Sequence, residues 1–269
     1  MEKLFNYNSD KQLWRILISE SDKLILENRN QETKEVFFQC LDLQNGNNVF
    51  TDLQLEEKNW IGIETVYKDI IYFHRYPQRD LPGHKEIIAF DIASQKVLWH
   101  NKELTFHFAY KNLIYSFVQG FDDRFFYSLD FLTGEIQEEL GSNYSFINQL
   151  KNEAELNKNW DNYIYPEIKK LGDFIYNTTI SDYLIQFPIV GEIEESAYKE
   201  LKFISFHTKE DDQTLTNHFA VFNISNKEII QEEILNTKAK NFLTDSFFIY
   251  KNFLFVLKGK NEIDIYLLN

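Results

Sequence analysis

The feature that most constrains the fold of this 269-residue chain is a short pattern that it repeats. An alternating apolar run leads to an Asp or Asn, a polar turn follows, and a second apolar run begins. The pattern occurs at 36–50, 86–99, 125–138 and 218–231. Asp and Asn side chains bond the backbone amides that follow them, which favours a tight turn between two strands. The sequence therefore predicts a β-hairpin in each copy.

The turns share a second property: the fourth residue after the Asp or Asn is glycine or a polar residue. These pairs are Asp42 with Gly46, Asp91 with Gln95, Asp130 with Gly134, and Asn223 with Lys227. A further apolar–turn–apolar element comes before each copy. It occurs at 20–26, 66–73, 109–117 and 197–206, and a fifth time at 249–257. Two hairpins in succession make a four-stranded antiparallel meander, and its repetition is typical of a β-propeller blade.

The spacing of the copies tests this interpretation. Asp42 and Asp91 are 49 residues apart, and Asp91 and Asp130 are 39 apart, close to the roughly 40–50 residues of propeller repeats. The next interval is about two repeats long. Either residues 173–187 are a degraded hairpin of a sixth blade, or residues 148–170 belong to a partly helical insertion in a five-bladed ring. We leave both open, and treat 143–190 as a degenerate blade or partly helical insertion within a single domain, residues 1–269.

The two ends of the chain complement each other. The last copy ends at residue 269 one strand short of a full blade, and residues 3–8 form a spare strand before the first copy. Pairing of these segments would remove two exposed sheet edges. We therefore predict an all-β fold, a β-propeller of four-stranded antiparallel blades with five recognisable repeats, closed by the N-terminal strand.

The segment "IIAFDIASQKVLW" resembles the repeat of quinoprotein-type propellers, in which a strand, an Asp, a Thr-Gly turn and a strand ending in Trp recur. The third copy keeps Thr133 and Gly134, and the second keeps Trp99. The whole chain, with Tyr165 and Pro166, is similar to an uncharacterised bacterial family, domain of unknown function 4905. This resemblance implies a propeller and supplies no catalytic residues.

Composition excludes several classes of function. The net charge of −14 disfavours binding to nucleic acid or to anionic lipid. No stretch approaches the roughly 20 apolar residues of a membrane span. The single cysteine, Cys40, alternates with apolar neighbours and is expected in the core, so no internal disulfide forms. A cytoplasmic monomer without a cofactor is the expectation.

The arginines suggest a candidate anion-binding site. Four of the five lie in or beside the loops between the second and third strands of the repeats: Arg29, Arg75, Arg79 and Arg124. Equivalent loops of successive blades share one face of a propeller, and the guanidinium group binds carboxylate or phosphate in a bidentate manner. The alternative is that these arginines pair with local acids such as Asp80, Asp122 and Asp123.

A weaker candidate is a metal site in one loop. His207, Asp211, Asp212 and His218 flank the segment 207–218 and would bind a divalent ion if they converged. The competing interpretation is a solvated acidic loop without a metal.

The sequence contains no nucleophile elbow, zinc-protease pair or phosphate loop. We therefore expect a non-catalytic binding scaffold for a protein partner or a small anionic ligand. The alternative is an enzyme of lyase or hydrolase type, with histidines and carboxylates at the central channel.

Overall fold

A computed structural model describes residues 1–77, 83–174, 178–210 and 213–269. Of these residues, 57% lie in strands and 10% in helices, so the predicted all-β class is confirmed. The chain divides into two compact units, Asp10–Lys158 and Asn159–Asn269 together with Met1–Ser9. None of the described helices has the length and apolar character needed to cross a membrane.

The unit Asp10–Lys158 contains three antiparallel meanders, each with four strands hydrogen-bonded in chain order. Strands are numbered along the chain. The first meander comprises β2 (Gln12–Ile18), β3 (Lys23–Arg29), β4 (Val36–Asp42) and β5 (Asn48–Leu53). The second comprises β6 (Ile61–Tyr67), β7 (Ile70–Arg75), β8 (Lys85–Asp91) and β9 (Lys96–Asn101). The third comprises β10 (Thr105–Tyr110), β11 (Leu113–Gln119), β12 (Arg124–Asp130) and β13 (Ile136–Gly141), followed by helix α1 (Tyr144–Leu156).

Aromatic side chains form much of the contact between the first two meanders. Phe38 of β4 and Phe73 of β7 have ring centroids 4.6 Å apart across the two meanders, and within the second meander Phe90 of β8 lies edge-on to Phe73 at 6.2 Å. All three are almost fully buried. Such planar side chains pack well on pleated surfaces, which explains the high Phe content of the chain.

The other unit contains a fourth and a fifth meander. The fourth comprises β16 (Ile189–Tyr198), β17 (Leu201–Lys209), β18 (Leu215–Asn223) and β19 (Glu228–Ala239), with β15 (Glu167–Lys169) paired to β16. The fifth comprises β20 (Phe247–Tyr250), β21 (Phe253–Lys258), β22 (Glu262–Leu267) and β1 (Glu2–Asn8), with β14 (Tyr163–Ile164) paired to β20.

The N-terminal strand completes the fifth meander, as predicted for residues 3–8. Strands β1 and β22 are antiparallel, and their register runs from Glu2 opposite Leu267 to Asn8 opposite Glu262. The edge of β22 is thereby covered by the opposite end of the chain.

The predicted turn chemistry is confirmed in all four copies. Gly46, Gln95, Gly134 and Lys227 all have positive φ, between 57° and 72°. The preceding acid or amide accepts backbone hydrogen bonds; for example, Asp130 Oδ1 accepts from the amides of Leu132 and Thr133, at 2.9 and 2.8 Å. The hairpins therefore follow from local sequence.

The described residues within 173–187 are largely helical, so the hairpin predicted there for a sixth blade is not found in them. A 3-10 helix spans Leu171–Phe174, and helix α2 spans Thr178–Leu184. Ile180, Tyr183 and Leu184 are buried, and this spacing of three and four residues belongs to a helix rather than a strand.

Candidate functional site

Three polar side chains meet in the second meander: Glu64 of β6, His74 of β7 and His84, which directly precedes β8. We call them the His–Glu cluster. The Nδ1 atoms of His74 and His84 lie 2.9 and 2.7 Å from the same Glu64 oxygen, Oε2. The two imidazole rings stack, with centroids 3.5 Å apart and planes 6° from parallel. Two imidazoles thus share one carboxylate oxygen.

Two irregularities of the sheet place these side chains. The register of β6 against β7 shifts between Ile63 and Thr65, so that Glu64 occupies a β-bulge. Opposite His74, β8 has an extra residue as well, and there Glu86 is buried with a φ of 61°. Bulges redirect side chains and occur preferentially near functional sites. A buried non-glycine residue with positive φ is strained, and it persists only where its surroundings hold it.

The first meander holds the backbone on which Glu64 depends. The amide of Ile63 donates to Glu27 Oε2 at 2.9 Å, and the Ile63 carbonyl accepts a hydrogen bond from Arg15. Beside it, a Cβ at Gly62 would lie only 3.0 Å from Nε2 of His74. A larger residue at this position would force the imidazole to shift by a few tenths of an ångström.

The surroundings set the protonation states of the cluster. Burial alone raises the pKa of Glu64, but the two imidazoles within 3 Å of its carboxylate outweigh burial and lower this pKa below its usual range. Burial lowers the pKa of His74, and Glu64 only partly opposes that shift. At neutral pH the cluster therefore combines an ionised carboxylate with a neutral buried imidazole.

His74 is also incompletely satisfied. It is 1% exposed, and within the described ranges neither ring nitrogen makes a hydrogen bond. Its Nδ1 is close to Glu64 but outside hydrogen-bond geometry, and its Nε2 faces Gly62. A buried polar atom without a partner is unusual in a native fold and calls for an explanation.

The chemistry available to this arrangement follows from its atoms. One ligand atom from each of the three residues lies within 4.8 Å of the others. Imidazole nitrogen and carboxylate oxygen bind divalent transition metals such as zinc. The same groups, in the same protonation states, can also accept a proton.

Two of the predicted anion-binding arginines lie around this cluster, but their charges are already matched. Arg29 donates from Nε and a terminal nitrogen to Glu27 Oε1, at 2.9 and 2.7 Å, and its guanidinium lies 4.6 Å from the Trp14 ring. Arg75 lies 3.4 Å from Glu56 and 3.6 Å from Glu86. The expectation of free guanidinium groups is therefore wrong at both positions, because neighbouring carboxylates neutralise them.

Of the remaining two arginines, the structure describes only Arg124. Arg79 lies outside the described residues. Arg124 begins β12, donates from Nε to Gln119 Oε1 at 3.0 Å, and places its guanidinium 4.4 Å from the Phe117 ring centroid. Within the described parts of the chain it has no acidic partner, and neither Asp122 nor Asp123 pairs with it.

The predicted loop metal site does not assemble from its histidines. Phe206 of β17 is opposite His218 of β18, so His207 and His218 point to opposite faces of the sheet. His207 Nε2 accepts from the amide of Leu243 at 3.1 Å, and His218 Nε2 lies 2.9 Å from the Thr208 hydroxyl. Asp211 and Asp212 lie outside the described residues.

Sequence reasoning missed the His–Glu cluster because its members are ten residues apart and follow no metal-binding motif. The available signal was positional. Gly62, His74 and His84 lie near the same end of three successive predicted strands, and a glycine within a strand often marks a close approach. The bulge that turns Glu64 toward the histidines has no such signal.

Comparison with known proteins adds the following. Residues 18–99 match the model of a family described as a domain of unknown function (DUF4905). No curated protein matches the chain.

Three solved structures are similar at low identity. The first is a eukaryotic initiation factor, with 7% identity and a TM-score of 0.35 over 95% of this chain and 52% of that one. The second is the Dos1 propeller, with 11% identity and a TM-score of 0.34 over 100% of this chain and 62% of that one. The third is the β-propeller domain of the Trilobed protease from Pyrococcus furiosus, with 11% identity and a TM-score of 0.33 over 97% of this chain and 69% of that one. The chain thus spans about half the length of the first and less than two thirds of the second. TM-scores below 0.5 are too low to assign a shared architecture.

The matched stretch begins at the end of β2 and ends within β9, so it contains all three members of the His–Glu cluster. Over these residues, the resemblance to the uncharacterised family DUF4905 is confirmed.

Proposed function

We propose that this chain is a non-catalytic binding module, a five-bladed propeller closed by β1, which docks a protein partner at the tip of its β11–β12 hairpin. The five meanders and the β1–β22 pairing support the blade assignment. The observation that carries the binding role is a wholly exposed phenylalanine, Phe121, beside Arg124, which has no acidic partner among the residues that the structure describes.

The β11–β12 tip consists of Phe121, Arg124, Phe125 and the neighbouring Tyr144. Phe121, in the turn, is 102% exposed, and Phe125 is 47% exposed. The Tyr144 hydroxyl accepts from the backbone amide of Arg124 at 2.8 Å, which joins the start of α1 to the hairpin. Aromatic and arginine side chains dominate the energetics of protein interfaces, and a cluster of exposed apolar residues typically marks such a site.

The charge of Arg124 favours a partner that presents a carboxylate. The chain carries a net charge of −14, and Arg29 and Arg75 are both neutralised by carboxylates. Arg124 instead rests on the face of Phe117, and Gln119 orients it without neutralising it. A partner surface that presents a carboxylate next to an apolar side chain satisfies both components of the tip. A bond to a charged group contributes about 1.5–3 kcal/mol when it is shielded from water.

The test is affinity purification from the native cell with the full chain as bait, followed by mass spectrometry. The variant Phe121→Ala/Arg124→Glu removes the apolar contact and repels an acidic partner. The control Ile230→Ala truncates another exposed apolar side chain, 43% exposed on β19. Proteins retained by wild type and control but lost with the double variant support the proposal. Identical captured sets for all three baits contradict it, provided that their melting curves agree.

The alternative function, an enzyme of hydrolase or lyase type, is favoured by one specific observation. The His–Glu cluster places an ionised carboxylate beside neutral His74, so that Glu64 can orient an imidazole that acts as the general base. The test is turnover of p-nitrophenyl ester and phosphoester substrates by wild type and by Glu64→Gln. Activity that falls by at least about 100-fold in the variant, the scale of general-base catalysis, favours the enzyme. Equal rates for both proteins exclude the cluster from such a reaction.

A further inference from the structure

We propose that Glu64, His74 and His84 bind one divalent transition-metal ion of the zinc class, through a carboxylate oxygen and two Nδ1 atoms, with a fourth position left open. The His–Glu cluster lies in the second meander and the β11–β12 tip lies in the third, and this proposal does not depend on the proposed docking function.

The distances agree with such a site after a small expansion. Zinc binds imidazole nitrogen and carboxylate oxygen at about 2.0–2.2 Å, so two ligands of a tetrahedral ion are about 3.3 Å apart. The observed separations from Glu64 Oε2 are 2.9 Å to His74 and 2.7 Å to His84. The ligand atoms therefore have to separate by about half an ångström to admit an ion, a change well within side-chain motion.

One ring must also turn. The lone pair of an imidazole nitrogen lies in the ring plane, and two parallel planes have no point in common. The His74 and His84 rings are 6° from parallel, so both cannot direct a lone pair at one ion without a tilt. The His84 side chain is 32% exposed and precedes β8, whereas His74 is almost fully buried against Gly62. His84 is therefore the ring that moves.

An independent observation points to a ligand. His74 is 1% exposed, and neither of its ring nitrogens makes a hydrogen bond within the described ranges. Metal coordination would give Nδ1 a partner. The proton would then reside on Nε2, which faces Gly62.

The surroundings suit three protein ligands and an exchangeable fourth. Tyr76 lies edge-on to both rings, with centroids 4.8 Å from His74 and 5.4 Å from His84, and covers one side. Glu64 and His84 retain 21% and 32% side-chain exposure, so an ion and a water molecule have access from solvent. Three protein ligands with an open position are characteristic of zinc sites that bind further ligands.

The experiment is calorimetric titration of the chelator-treated full chain with ZnCl₂. Wild type is expected to bind one equivalent. His84→Ala and Glu64→Gln are expected to bind at least about 10-fold more weakly, a loss that even an outer contact of a metal site produces. These two variants replace partly exposed side chains, and circular dichroism will verify that they fold. The control is His100→Ala, which removes another histidine of the second meander that contacts a carboxylate, Glu86, at 2.8 Å.

Titration with Co²⁺ gives a second measurement, because its visible absorption distinguishes tetrahedral from octahedral coordination. Tetrahedral bands in wild type and His100→Ala, lost in His84→Ala, support the proposed ligands. Three results overturn the proposal: no saturable Zn²⁺ binding by wild type, equal affinity of wild type and both ligand variants, or loss of binding in His100→Ala alone.

Discussion

Replacement of Asp264 by Ala is expected to destabilise the unit that contains β1 by about 3 kcal/mol. The Asp264 side chain is fully buried on β22 and accepts from Lys3 at 2.6 Å, Lys258 at 2.5 Å and Asn6 at 2.6 Å. Removing one partner of a buried ion pair typically costs about 3–5 kcal/mol, because the opposite charge is left uncompensated. Lys3 and Lys258 keep 47% and 20% exposure and can turn toward water, so the lower end of that range applies.

The assay is urea unfolding followed by circular dichroism, at pH 7 and at descending pH. Burial alone raises the pKa of Asp264, but its bonds to Lys258, Lys3 and Asn6 outweigh burial and lower it. The contribution of a carboxylate with a lowered pKa is complete above its unfolded-state pKa of about 4 and is lost as the pH falls below it. The difference between wild type and variant should therefore shrink below about pH 4.

The control is Glu155→Gln, which removes an exposed ion pair with Lys158 and should cost less than about 0.5 kcal/mol. A loss of less than 1 kcal/mol for Asp264→Ala, or a difference that stays constant down to pH 2, would refute the reasoning.

Three further predictions concern other parts of the chain. Gly62→Ala should lower stability by about 1–3 kcal/mol, since its Cβ would lie 3.0 Å from His74, whereas Gly172→Ala, with nothing within 4 Å, should be nearly neutral in the same urea assay. The thiol of Cys40, fully buried and with its pKa raised by burial to about 12, should react with Ellman's reagent only after unfolding, and rapid reaction of native protein would contradict this. Deletion of residues 1–8 should lower the melting temperature and promote aggregation, because β22 becomes an edge strand, and an unchanged melting curve would contradict the role of β1.

The hairpins were predictable because their determinants are local. An Asp such as Asp91 caps the turn, and the residue four positions later accepts positive φ, even where it is Gln95 rather than glycine. Pairing of β1 with β22 was predictable for a different reason: a repeat that lacks one strand needs that strand from elsewhere. Both inferences use only sequence order and the geometry of turns.

The helical segment was harder to predict because its apolar residues fit two periods. In the stretch 173–187, alternation suggests a strand, while Ile180, Tyr183 and Leu184 follow helical spacing. The structure selects the helix: these three side chains pack with Phe206 and Phe222 of the fourth meander. The choice between helix and strand depends on the sheet surface against which the segment packs, and the local sequence does not reveal that surface.

The arginines show how far a candidate binding site could be predicted from the sequence. Their positions beside the loops between second and third strands were correct for Arg29, Arg75 and Arg124. The partner of Arg29 was within reach of sequence reasoning, because Glu27 lies two residues earlier on the same strand, whereas the carboxylates that contact Arg75 come from other segments of the chain. Glu86 reaches Arg75 from the extra residue in β8, and no sequence pattern marks that residue.

The register of the repeats indicates that the polar cluster is not a requirement of the fold. In the first four meanders, the first residue of the second strand is paired with the Asp or Asn that begins the turn. In the fifth meander, the corresponding residue, Phe253, is paired with Leu267 of β22. Four positions further along the second strand lie Glu27, His74, Phe117, Ser205 and Leu257 in the five meanders. An apolar side chain is thus accommodated at this position in the third and fifth meanders.

Apolar burial at that position would stabilise the chain, whereas an ionisable group there has to be desolvated and paired. The first two meanders nevertheless place Glu27 and His74 at it, both 1% exposed, and a strained Glu86 beside them. Glu27 is satisfied by Arg29 and by the Ile63 amide, so it supports its neighbours. His74 lies 2.9 Å from Glu64 but makes no hydrogen bond within the described ranges, and the proposed metal ion would supply the missing partner. Substitution of His74 by Phe, the residue of the third meander, should therefore retain the fold and abolish metal binding.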